Sequence, residues 1–119
     1  MAAQNIVYLQ PDKDPAAVLD YTLDLSEWLA ESPGDTIASA TVTAVYQTNA
    51  SGTVVGPTTD LVVESSQLSG ALFTMWLAAG SDQSRYRLEV TAVTAATAAR
   101  TDVFIAILNV VSELNLAGP

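Results

Sequence analysis

The chain has 119 residues, 13 of them acidic and 4 basic, for a net charge of −9. That length fits one domain with a substantial core, and the balance of charge lacks the clustered Lys and Arg that nucleic acid or an anionic membrane would need. Cysteine and histidine are both absent, which removes disulfides, thiolate chemistry, the commonest metal ligand and the commonest general base.

Met1 to Gln10 shows no basic segment followed by a long apolar run, so no signal peptide is expected. Within it, Ile6, Val7, Tyr8 and Leu9 form a short apolar segment suited to an edge strand or to an arm onto a neighbour. Pro11 and Pro15 bracket Asp12, Lys13 and Asp14, which read as a surface turn. Residues 1–15 are therefore taken as arm and turn, 16–112 as one folded domain and 113–119 as a tail. From Val18 to Leu25 the pattern alternates, with Leu19, Tyr21, Leu23 and Leu25 inward and Asp20, Thr22 and Asp24 outward. Ser26 to Leu29 makes one helical turn with Ser26 as its cap, stopped by Ser32, Pro33 and Gly34, and folds Trp28 onto the core.

Asp35 to Gln47 is a long β-prone run that would place Ala38, Ala40, Val42, Ala44 and Tyr46 on one face. Shorter strands are expected over Thr53 to Val55 and Leu61 to Val63, with a loop over Ser65 to Gly70 and a strand over Ala71 to Ala78 that is apolar on both sides. Arg85 to Val111 reads as two strands folded back across the loop Ala96 to Thr101. In the first, Tyr86, Leu88, Val90 and Ala92 alternate with Arg87, Glu89 and Thr91. The second, Val103 to Val111, is apolar on both faces apart from Asn109, so it is covered either by its own domain or by another subunit. Its longest apolar run, Val103 to Leu108, is too short to cross a bilayer.

Six to seven short strands with frequent turns describe an all-β chain, an antiparallel β-sandwich of immunoglobulin-like type. Tyr86 stands where such sandwiches place a corner tyrosine whose hydroxyl bonds to backbone; a plain core tyrosine is the alternative. Asp12 and Asp14, with Asp20 or Asp24, offer oxygen ligands for calcium, but their spacing fits no EF-hand. Asp20 and Asp24 on one solvated strand face lack the contrast in burial that a glycosidase pair requires. Ser26 and Ser39 have no local activating base, and the glycines are scattered among turns rather than gathered in a phosphate loop. No metal, cofactor or catalytic residue is expected. Trp28, Trp76, Tyr46 and Tyr8 would suit a sugar platform, with Trp28 the ring best placed to be exposed and Trp76 assigned to the core.

Several short segments together resemble a family of small tailed-phage virion proteins described as fiber–tail adaptors. They are Val18-Leu19-Asp20-Tyr21-Thr22-Leu23-Asp24, Trp28-Leu29, Gly34-Asp35-Thr36-Ile37, Ser84-Arg85-Tyr86 and Ala99-Arg100-Thr101-Asp102, and the resemblance covers about residues 12–110. It implies an immunoglobulin-like sandwich that is a structural part of a phage particle without catalysis, assembled in the bacterial host cytoplasm. Expected partners are other virion proteins of the capsid, neck, tail or fiber, with self-association in the particle and no nucleic acid or membrane. Phe104, Leu108 and Val110 are the expected partner interface if Ile105 and Ile107 point inward, with Ile6, Val7 and Tyr8 the next candidates. Tyr86, Trp28 and Trp76 are expected to be structural. A carbohydrate-binding or adhesin-like module is the alternative.

Overall fold

A computed structural model of the chain describes residues 6–31, 33–96 and 99–112; the tail expected over 113–119 lies outside them. Among the described residues there are eight strands and one short helix. In chain order they are β1 (Ile6–Tyr8), β2 (Leu19–Asp24), α1 (Ser26–Ala30), β3 (Ile37–Thr48), β4 (Val54–Pro57), β5 (Leu61–Ser69), β6 (Leu72–Ala79), β7 (Ser84–Thr94) and β8 (Thr101–Val110). They form a five-stranded sheet of order β1-β8-β7-β3-β4 and a three-stranded sheet of order β2-β6-β5. All pairings are antiparallel except β1 with β8. This is the sandwich expected, and its strand order is compatible with the immunoglobulin type.

The interior follows from period-two alternation. Tyr21 and Leu23 of β2 and Phe73, Met75 and Leu77 of β6 face Tyr86, Leu88, Val90 and Ala92 of β7, and all are buried. Each fully buried Leu, Val or Met of this set contributes roughly 1.5–3 kcal/mol relative to exposure. Two long strands depart from simple alternation. β3 carries irregularities between Ile37 and Ser39 and between Val42 and Ala44. Each inserts one residue and exchanges the faces. Ile37, Ala40, Val42 and Val45 therefore pack on the core, while Ala44 and Tyr46 lie on the outer side, opposite Glu89 and Arg87. The single alanine-lined face expected for this strand is thus broken. β5 runs through the expected loop at 65–70 by the same device, an irregularity between Val63 and Ser65.

Residues 6–13 belong to the sandwich. After β1, Leu9 N–H donates to Ile107 O (2.8 Å) and Lys13 N–H to Asn109 O (3.0 Å). The stretch expected to be a surface turn thus holds a fully buried lysine. Its Nζ donates to Ala79 O (2.6 Å) and Asp14 O (2.9 Å). Nearby, Tyr21 O–H donates to Pro11 O (2.8 Å), and burial, aided by Asp12 and Asp20, raises its pKa to about 12. At α1 it is Asp24, not Ser26, that accepts from the end of the helix, through Ser26 N–H (2.9 Å). Hydrogen bonding from the Ser26 side chain, and from its backbone N–H, holds the Asp24 carboxyl below its ordinary pKa.

Candidate functional site

The two faces of β8 are set by its register on β7. Tyr86 stands opposite Leu108, Leu88 opposite Ala106 and Val90 opposite Phe104, and residues directly opposite share a face. The connection 95–100 fixes this parity: Thr94 N–H donates to Arg100 O (2.9 Å) and Arg100 N–H to Thr94 Oγ1 (2.8 Å). A slip of one residue would exchange the faces. Phe104, Leu108 and Val110 are therefore buried in the core rather than presented to a partner, which reverses the expected facing. Val103, Ile105, Ile107 and Asn109 take the outer side.

β1 extends that outer side. Its register places Ile6 beside Ile105 and Tyr8 beside Ile107, with Val7 beside the inward Ala106 at the sheet's edge. All three β1 residues are exposed, Tyr8 at 60 %. The outward positions of β7 add Arg85, Arg87 and Glu89. Arg87 pairs with Glu89 (2.9 Å) and lies over the Tyr46 ring at 4.8 Å, while Arg85 donates to Asn109 Oδ1 (3.1 Å). Tyr46, Thr48, Val54, Arg85, Arg87 and Ile107 line a shallow hollow of about 210 Å³. The outer face of the large sheet is thus an apolar band, with Ile6, Tyr8 and Val103 exposed and Ile105 and Ile107 half-buried, bordered by two arginines. Contiguous exposed apolar surface of this sort marks contact sites.

The remaining residues singled out in the sequence are structural or scattered. Trp28 is buried, edge-on to Phe104 (ring centroids 5.4 Å, 83°), with the Arg100 guanidinium 4.8 Å above its ring. The ring best placed for sugar is therefore sealed. Trp76, assigned to the core, instead lies half-buried on the outer face of the small sheet, between Asp20 and Ser65. Asp20 and Asp24 are exposed on that same face, and among the described residues no group of three or more acidic side chains gathers to hold a metal.

Tyr86 closes the base of the sandwich. It is fully buried; its hydroxyl accepts from Ser81 N–H (2.7 Å) and donates to Asp60 Oδ2 (2.7 Å), which Ser81 Oγ also contacts. The backbone bond expected of a corner tyrosine is present, with the hydroxyl as acceptor. Tyr86→Phe leaves an N–H and a carboxylate oxygen short of a partner, so a loss of about 2 kcal/mol in urea melts is expected; a loss of a few tenths would refute this role. The Ser81 and Tyr86 bonds hold the Asp60 carboxyl below its ordinary pKa. A depressed carboxylate stabilises fully above the unfolded value of about 4 and loses that contribution as pH falls through the lower folded value. Asp60→Asn is accordingly expected to flatten the acid limb of a thermal-melt series.

Comparison with protein-family models gives a match over residues 13–106 to a family described as podophage GP4 fiber-tail adaptor protein gp77. No curated protein and no solved structure matches. The matched span begins at the buried Lys13, contains both sheets except β1, and ends within β8. By that span the chain belongs to the family of podophage fiber-tail adaptor proteins.

Proposed function

We propose that the chain is a non-enzymatic structural part of a podophage virion that joins other tail or fiber proteins through the outer face of its large sheet. The observation that carries this proposal is the apolar band of Ile6, Tyr8, Val103, Ile105 and Ile107, which no strand among the described residues covers. The family match supports an adaptor role and a place in the particle. Nucleic acid is disfavoured as a partner by the net charge of −9, with Lys13 buried against backbone carbonyls and Arg100 held by Trp28 and Glu31. Among the described residues no helix is long and apolar enough to cross a membrane. Assembly would take place in the host cytoplasm with the other virion proteins.

Deleting the gene from the phage genome tests this. Particles made without the chain are expected to lack fibers and to regain them when the chain is supplied in trans, and mass spectrometry of wild-type virions is expected to find it at a copy number fixed by tail symmetry. Fibered, infectious particles in its absence would overturn the proposal.

A further inference from the structure

We infer that the outer face of the large sheet also receives a second copy of the same chain, docked through the outer face of its small sheet; this rests on the adaptor role above and names one partner for that surface. Charge carries the inference. The strand positions on the outer side of the large sheet include Arg85, Arg87 and the single acid Glu89. The outward positions of the small sheet include Asp20 and Asp24, with no basic residue. Of the four cations in the chain, Lys13 is buried and Arg100 is packed on Trp28. The two arginines left facing outward both stand on the large sheet.

The acidic face also has an apolar centre to set against the apolar band. Leu72 is 45 % exposed and Trp76 half-buried, with Thr22, Thr74 and Gln67 around them. Matching like faces would oppose arginine to arginine or carboxylate to carboxylate, which disfavours two-fold dimers through either face. Front-to-back stacking pairs the charges, and because it uses two different surfaces it propagates until it closes into a ring or extends as a filament. The small sheet limits each contact. Three strands of six, eight and nine residues, about 4.8 Å apart, cover roughly 400 Å², half of the about 800 Å² per partner in a standard interface. Each contact is therefore weak, and stable assembly requires that every copy make two.

Sedimentation of the full chain tests this. The wild type is expected to associate beyond a dimer with rising concentration and to dissociate as salt is raised, because the pairs are exposed. The double variant Arg85→Glu, Arg87→Glu and the double variant Asp20→Lys, Gln67→Lys are each expected to be folded by circular dichroism and monomeric; Asp24 is left in place because its carboxylate accepts from Ser26 N–H at the start of α1. An equal mixture of the two is expected to associate again, since the reversed front of one then meets the reversed back of the other. The milder Arg85→Gln, Arg87→Gln pair should weaken association about tenfold. A wild type that stays monomeric at about 1 mM in low salt, either reversed variant associating as the wild type does, or a mixture that stays monomeric would overturn the inference. A chain found in fibered particles yet monomeric in solution would overturn it while leaving the adaptor role standing.

Discussion

Leu108→Asp is expected to abolish folding, whereas Ile107→Asp, one residue away, leaves a folded and soluble protein. Leu108 is fully buried opposite Tyr86, so the substitution would place an unpaired carboxylate between the two sheets. That penalty exceeds several kcal/mol, comparable with the whole stability of a domain of this size. Ile107 lies on the outer side in the hollow with Arg85 and Arg87. There a carboxylate stays hydrated beside two cations, and the cost should be about 1 kcal/mol. Circular dichroism and urea melts of the two variants decide the matter; equal losses would mean that both faces of β8 are core. Phe104→Asp should behave as Leu108→Asp does, and Ile105→Asp as Ile107→Asp. Incorporation into particles should fall for all four variants, but only the outer pair should lose it while remaining folded.

The second large effect belongs to Lys13. Lys13→Met keeps the length of the stem but removes the ammonium, so that Ala79 O loses this donor while Asp14 O retains Ala17 N–H. The expected loss is about 2 kcal/mol. Lys13→Ala adds a void where the stem was buried and should bring the total to about 4 kcal/mol. Burial lowers the pKa of this lysine from 10.5, against an opposing pull from Asp14. In the window between the lowered folded value and 10.5 the unfolded chain binds more protons than the folded one, so stability rises with pH there. Lys13→Met should abolish that rise. A rise unchanged in the variant would show that another group produces it.

What the sequence revealed tracks where polarity is periodic. β2 and β7 alternate cleanly, and their inward residues, Tyr21 and Leu23, Tyr86, Leu88 and Val90, were readable at once. β8 was not, because Phe104, Ala106, Leu108 and Val110 on one side and Val103, Ile105 and Ile107 on the other are equally apolar, and pairing parity is decided by the Thr94–Arg100 closure of the preceding connection. The one usable sign was Asn109: a lone amide on the odd-numbered side marks that side as the outer one. In β3 the inserted residues exchange faces twice without any glycine or proline to announce it. Lys13 was hidden for another reason. Flanked by two aspartates and two prolines it has the composition of a surface turn, and its principal acceptor, Ala79 O, lies 66 residues away in the chain. Trp76 misled through its neighbours, since an apolar stretch such as Phe73 to Leu77 has an outer side as well as an inner one.

Because β1 runs parallel to β8, tension applied ahead of Ile6 and behind Val111 slides the two segments along each other. The bonds from Leu9 to Ile107, from Lys13 to Asn109 and from Val111 to Lys13 then carry the load side by side in shear, and they must yield together rather than peel one after another. Resistance to such a pull depends on how fast the chain crosses its unfolding barrier and not on its equilibrium stability. The buried Lys13 ammonium adds an anchor from this sliding pair to the end of β6, which ties the small sheet into the same mechanical element.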